Sequence, residues 1–336
     1  MAPQLDCGSS SYPRGETVKP LGLQYRGTSV RKTCQVGVYN RKRIDCLSQT
    51  ACFARGDKRN DGSTFVLLSF RLWRKSKATA MNILLTNDDG IHADGLWALE
   101  KALSSRYHTT VVAPDTERSA VGHSITLAHP LRISRIQTNG GWGHAVSGTP
   151  ADCIKIAVLE ILESRPDLVV SGINPGPNVG INLNYSGTVS AAKEAALMGI
   201  PAIAISQTPH TEQGYSAAAG FVGVLIARIM EKGLPEGTFL NVNVPACPPD
   251  RVEGIRITRQ GISRLQEIFH RRTDPREQAY YWQGTETQIF DQDTDTDGAA
   301  LHQNCISVTP IQCDMTDYQA LEHLKNWDFR VDEHDA

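Results

Sequence analysis

Residues 82–94 read Asn82-Ile83-Leu84-Leu85-Thr86-Asn87-Asp88-Asp89-Gly90-Ile91-His92-Ala93-Asp94. The opening run, with three large aliphatics in a row, has the pattern of a short strand buried on both faces. Asn87 to Gly90 is a polar turn, because Asn, Asp and Gly tolerate the tight backbone a turn requires. Beyond it the period changes. Leu96, Leu99 and Leu103 recur at helical spacing and predict a helix over 94–105. Thr109-Thr110-Val111-Val112-Ala113 then predicts a second strand, stopped by Pro114. Strand, helix, strand is a βαβ unit, which implies a parallel sheet with helices on its faces.

The pattern continues downstream. Shorter strands are expected near 124–127, 131–136 and 144–147. Thr149-Pro150-Ala151-Asp152 is a helix start, with Thr149 as cap, Pro150 in the first turn and Asp152 three residues on. That helix is expected to reach about Glu163. Leu168-Val169-Val170 is a buried strand, followed by the Gly- and Asn-rich loop Ser171 to Asn178. Ser186-Gly187-Thr188 opens a helix through Met198, Ala202 to Ile205 is a strand, and 216–231 is a helix. Phe239 to Val244 is another strand. From 245 the texture is more polar, with strands over 251–258 and 306–310, a hairpin over 264–290 and a short helix over 316–325. The expected division is 1–80, 81–244 and 245–336.

Upstream of Met81 the chain differs in kind. Residues 1–80 hold 15 Lys and Arg against 5 Asp and Glu, leaving 19 against 31 for residues 81–336. The overall formal charge of −2 hides this asymmetry. The first segment has no apolar core near Met1 of the kind a secretory signal needs. Its scattered apolar residues predict a basic extension that is disordered or outside the working protein. A basic tail is also a possible nucleic-acid binder, although nucleic acid is not the expected partner. Hydrophobic residues make up 40% and charged residues 21%, and no apolar run reaches membrane-spanning length. The eight cysteines form no C-x-x-C pair, and reduced thiols in a cytoplasmic protein explain them.

The chemistry-bearing residues fall after the carboxyl ends of the predicted parallel strands, where open α/β sheets bind ligands. Asn87, Asp88 and Asp89 follow the first strand. Adjacent carboxylates on a tight turn repel unless a divalent cation joins them, since carboxylate oxygens are hard ligands. Alone, the triplet equally suits a solvated turn with Asp88 as a helix cap. Asp115, Glu117, Arg118 and Ser119 follow the second strand, and a Ser hydroxyl can join a metal shell or meet a phosphoryl oxygen. Ser171, Asn174 and Asn178 follow the Leu168 strand and offer neutral oxygen donors. Ser186, Gly187 and Thr188 present hydroxyls and N–H groups at a helix start, an anion site or an ordinary cap. His123 is a possible proton donor, phosphate neighbour or plain loop histidine. There is no Gly-x-Gly-x-x-Gly after the first strand, no Gly-x-Ser-x-Gly elbow and no Gly-Lys-Ser/Thr phosphate loop. Together the clusters suit metal-assisted attack of water on phosphorus. A sensor that binds nucleotide or phosphate without turnover is the competing expectation.

The ordered set of motifs resembles the SurE family of survival-protein nucleotidases. The matching pieces are residues 81–91, Val112 to Ser119, Gly122-His123-Ser124-Ile125-Thr126 and Ser171 to Asn178. Tyr185 to Val189, Pro275-Arg276 with Tyr280-Tyr281-Trp282, Asp295-Thr296-Asp297 and Ser307-Val308-Thr309-Pro310 complete the set. The resemblance covers residues 81 to about 330. It implies a three-layer Rossmann-like α/β core with a mostly parallel sheet, plus a smaller C-terminal β-rich part with an extended hairpin. It implies hydrolysis of nucleoside 5'-monophosphates, with 3'-monophosphates and short polyphosphate as further substrates, and a homodimer or homotetramer that swaps elements between subunits. It implies one divalent cation per subunit, Mg²⁺, Mn²⁺ or similar, on Asp88, Asp89, Ser119 and Asn174. Asn178, Ser186, Gly187 and Thr188 would border the phosphate. On the hairpin, Tyr280, Tyr281, Trp282 and Phe290 are aromatic and need cover, which a second copy would supply.

Overall fold

A computed structural model describes residues 81–207, 214–245, 247–262, 264–289 and 293–329. The expectations for residues 1–80 and for Phe290 lie outside the described residues.

The first strand, β1 (Asn82–Thr86), leads to helix α1 (Asp94–Leu103) and then to β2 (His108–Pro114). β3 (Ile133–Gln137) and β4 (Trp142–Val146) follow, then α2 (Pro150–Ile156) and β5 (Leu168–Pro175). Next come α3 (Gly187–Leu197), β6 (Ala202–Gln207), α4 (Ser216–Lys232) and β7 (Thr238–Val244). The rest comprises β8 (Gly254–Ile257), β9 (Arg264–Thr273), β10 (Ala279–Ile289), α5 (Asp297–His302), β11 (Cys305–Gln312) and α6 (Tyr318–Leu324).

Nine strands form one sheet in the order β3-β4-β2-β1-β5-β6-β7-β11-β8, and β9 and β10 pair apart as an antiparallel hairpin. From β4 to β7 every neighbouring pair is parallel, while β3–β4 and β7–β11 are antiparallel. The period of two along each strand sorts side chains onto two faces. Ile83, Leu85, Val111, Leu168 and Val170 pack with Leu96, Leu99 and Leu103 of α1 and Val222, Ile226 and Ile229 of α4. Leu84, Val112 and Val169 pack on the other face with Cys153 and Ile154 of α2 and the small residues Ala191, Ala192, Ala195 and Ala196 of α3. This is the expected helix–sheet–helix core. β8 and β11 continue the main sheet beyond β7, so within the C-terminal third only the hairpin forms a sheet of its own. No helix among the described residues is long and apolar enough to cross a membrane.

Three local expectations are corrected. Residues 124–127 carry no strand, because their backbone is taken up by the start of α2. The Thr126 N–H donates to the Asp152 carboxylate at 3.1 Å, and the Thr149 hydroxyl donates to the Ser124 carbonyl at 2.7 Å. The helix from Pro150 ends earlier as an α-helix, and Ala157–Ile161 winds as a π-helical turn closed by Leu162 N–H donating to the Ala157 carbonyl at 2.9 Å. β5 runs on to Pro175, past the end at Val170 expected from its apolar run, with an irregular register against β6 between Ser171 and Asn174.

Candidate active site

The turn after β1 is braced by its own first residue. Asn87 donates from Nδ2 to the Gly90 carbonyl at 3.0 Å and accepts the Gly90 N–H on Oδ1 at 3.2 Å. Gly90 sits at φ +98°, a conformation side chains rarely adopt. Asn87 is therefore spent on geometry, and the two residues it encloses are the candidate ligands.

Asp88 is buried, and Thr188 Oγ1–H donates to its Oδ1. Backbone N–H groups of Gly187 and Thr188 also favour its charged form, but burial outweighs them and holds the carboxyl above the usual range. The start of α3 is thus aimed at a carboxylate, where the positive end of the helix dipole stabilises negative charge. A Cβ at Gly187 would lie 2.6 Å from the Asp88 Cβ and 2.8 Å from its Oδ2, so only glycine admits this approach.

Asp89 is less buried, and its carboxyl is raised as well. Burial, then the charges of Asp88 and Glu117, push its carboxyl up to about 7. Its Oδ2 is buried without a hydrogen-bond partner, as are Thr86 Oγ1, Arg118 Nε and Ser171 Oγ. Thr86, the last residue of β1, and Ser171 of β5 are register partners, so two of these hydroxyls lie side by side where β1 gives way to the Asn87 turn.

The loop after β2 closes onto this turn. The Arg118 N–H donates to the Asp88 carbonyl at 2.7 Å and the Gly122 N–H to the Tyr185 carbonyl at 3.0 Å. Between these anchors, exposed Ser119 donates its hydroxyl to Glu117 Oε1 at 2.6 Å. Asn174 donates from Nδ2 to the Gly176 carbonyl at 2.8 Å, which leaves the amide oxygen as an acceptor. Ser186 caps α3 by accepting the Val189 N–H at 3.2 Å.

Two expected site residues sit elsewhere in the hydrogen-bond pattern. Asn178 is buried in an amide network, donating from Nδ2 to Ser206 Oγ at 2.9 Å and from its N–H to Asn243 Oδ1 at 2.8 Å. Its carbonyl accepts from Asn241 and Asn243 at 2.9 Å each, and no hydrogen bond joins it to Asp88 or Thr188. His123 Nε2 meets Glu194 Oε2 at 2.8 Å, and Lys155 Nζ donates to Glu194 Oε1 at 3.1 Å. Glu194 lies two turns along α3 from Gly187, and the hydrogen bond of His123 is to this carboxylate.

The sequence motifs do not single out Glu194 or Tyr215. Tyr215 precedes α4, and burial followed by the charges of Asp89 and Asp94 raises its phenol. Asp297 at the start of α5 is fully buried and accepts the N–H groups of Gly180 at 2.9 Å and Gly261 at 3.1 Å, pinning the loop that leads into α3.

A cation would fit this site on its donor chemistry. Two adjacent carboxylates are both raised by burial, and one has a buried oxygen without a donor, so a positive charge would relieve both penalties. Among the described residues no three His, Cys, Asp or Glu side chains converge, and the expected donor set uses two carboxylates with a hydroxyl and an amide oxygen.

Comparison with known proteins agrees with this architecture. The family model for survival protein SurE matches residues 83–267. The 5'-nucleotidase SurE of Desulfatibacillum aliphaticivorans is 60% identical over 248 residues, covering 74% of this chain and 98% of its own. That of Syntrophobacter fumaroxidans is 50% identical over 248 residues, covering 74% and 99%. The crystal structure of the SurE protein from Aquifex aeolicus superposes with a TM-score of 0.64 at 38% identity, over 73% of this chain and 98% of that one. The chain belongs to the SurE family.

Proposed function

We propose that this chain is a metal-dependent 5'-nucleotidase that hydrolyses nucleoside monophosphates to nucleoside and phosphate. The observation that carries the site assignment is the pair of buried Asp88, against the start of α3, and half-buried Asp89, whose carboxyl is pushed up to about 7 and whose Oδ2 has no donor. Asp88, Asp89, the Ser119 hydroxyl and the Asn174 amide oxygen would hold one divalent cation, Mg²⁺ or Mn²⁺. When bound, such an ion neutralises phosphoryl charge and acidifies water.

The chain's own groups do the orienting. Thr188 fixes one Asp88 oxygen by its hydroxyl, so the carboxylate is presented in a single rotamer. Ser186, Gly187 and Thr188 set a helix N-terminus where phosphoryl oxygens gain from N–H donors and the dipole. Asn178 supports this border from below through its network with Ser206 and Asn243. The hairpin presents Phe269, Tyr281 and Trp282 more than half exposed, and we assign these aromatics to contact between copies in a homodimer or homotetramer.

The test is phosphate release from a nucleoside 5'-monophosphate with Mn²⁺ or Mg²⁺ and with excess chelator. Turnover that needs the ion is expected. Full turnover in chelator would remove the metal assignment, and tight binding without release would mark a sensor.

A further inference from the structure

Glu194 is an unusual residue for its place. α3 is rich in alanine and nearly all buried, yet it carries one carboxylate, 6% exposed, on the same face as Gly187. Seven residues separate the two, roughly 10 Å along the axis. That carboxylate is fully engaged by two partners from other elements. His123 takes one oxygen at 2.8 Å and Lys155 of α2 the other at 3.1 Å. The His123 contact is the largest cause holding the Glu194 carboxyl below its usual range, with Lys155 adding to it.

The consequence lies in what His123 carries. The segment 118–123 starts at the Asp88 carbonyl, where Arg118 donates, and ends with Gly122 fastened to the Tyr185 carbonyl ahead of α3 and His123 fastened to Glu194 of α3. Ala120 and Gly122 both have positive φ, 55° and 57°, so the path between is a tight one. Ser119 lies inside this span, next to Glu117, whose charge reaches Asp89. Beyond the side-chain bonds the loop makes within itself, the fastening that Glu194 provides joins it to another element side chain to side chain.

We propose that Glu194 is a positioning residue for the metal-binding loop, holding His123 so that the span carrying Ser119 keeps its path from the Asp88 carbonyl. This rests on the metal site proposed above. Lys155 serves by fixing the second Glu194 oxygen, so the carboxylate cannot rotate away from His123. Outer supports of this kind act on ligand geometry, and their removal is felt as weakened metal binding.

The experiment is calorimetric titration of Mn²⁺ into the full chain, comparing wild type, Glu194→Gln, His123→Gln, Ser119→Ala and the Glu194→Gln/Ser119→Ala double variant. Glu194→Gln keeps shape and removes charge, and His123→Gln changes only the partly exposed end of the contact. Each is expected to weaken Mn²⁺ by about tenfold and to raise KM more than it lowers kcat. Ser119→Ala is expected to cost affinity in wild type and nothing further in the Glu194→Gln background, because the loop is already released. Affinities within twofold of wild type in both single variants, with only the melting temperature lowered, would show that Glu194 merely packs. Fully additive losses would also overturn the proposal. If wild type neither bound Mn²⁺ nor released phosphate, the proposed function would fail first and this inference with it.

Discussion

Replacing Asp89 with Asn tests whether the site is built at the expense of the fold. In the chain without metal, burial and the charges of Asp88 and Glu117 raise the Asp89 carboxyl from 3.8 to about 7. At about 1.4 kcal/mol per pH unit, the ionised side chain would cost the folded state about 4 kcal/mol if it met no water. Asp89 is partly exposed, and screening lowers this to about 1–2 kcal/mol. The sign follows from proton binding. Between about pH 4 and pH 7 the folded chain holds a proton at Asp89 that the unfolded chain has released, so stability falls as pH rises through that window. Above it the penalty is complete.

Asp89→Asn removes the charge and keeps the shape. Measured by calorimetry in chelator at pH 8, the variant should be more stable than wild type by about 1–2 kcal/mol, a rise of about 4 °C in Tm for a domain this size. At pH 5, where wild-type Asp89 is mostly protonated, the advantage should shrink toward zero. Millimolar Mn²⁺ should raise the Tm of wild type and leave the variant nearly unmoved, since a ligand stabilises only the state that binds it. Phosphate release should be lost. A variant less stable than wild type at pH 8 in chelator, or a stability difference independent of pH, would refute the reasoning.

Gly187→Ala would push a methyl to within 2.6 Å of Asp88. It should destabilise by about 1–3 kcal/mol and cut turnover by about a hundredfold, as small misplacements at a reacting centre do; wild-type turnover in the purified variant would contradict this. Changing Tyr281 and Trp282 to Ser removes two rings that are 60% and 61% exposed. The full chain should then shift to a smaller mass by light scattering, and a wild-type chain already monomeric at micromolar concentration would dismiss the hairpin's assigned role.

Much of the fold was legible because its signals are local. β1 and its turn were readable since three aliphatics end at Asn-Asp-Asp-Gly, and the turn residues do what their chemistry suggests. The start of α2 was legible in full. Thr149 accepts the Asp152 N–H at 3.1 Å and Asp152 accepts the Thr149 N–H at 2.9 Å, both halves of the box expected from four residues. What the local pattern missed was competition for backbone groups. Ser124 to Leu127 alternates like a strand, yet the Asp152 carboxylate that completes the capping box also takes the Thr126 N–H. A side chain 26 positions away decided that segment, and no window of strand length contains it.

The same limit divides the site itself. Asp88, Asp89, Ser119 and Asn174 were legible as members of polar clusters after the predicted strands, and the family resemblance proposed them as one donor set. Their supports are invisible for an equally physical reason. Glu194 reads as an ordinary charged position in an alanine-rich helix, and only tertiary packing turns it inward to meet His123, 71 residues away in sequence. His123 drew attention for its nearness to Ser119, which left it open as proton donor, phosphate neighbour or plain loop histidine, and the partner it meets is Glu194 of α3. That partner could not be read from nearness in sequence. A buried carboxylate persists only where its partners offset its desolvation. Glu194, with two partners and a lowered carboxyl, fits the scaffold role proposed for it, whereas Asp89, with a raised carboxyl and an oxygen lacking a donor, fits the proposed cation ligand.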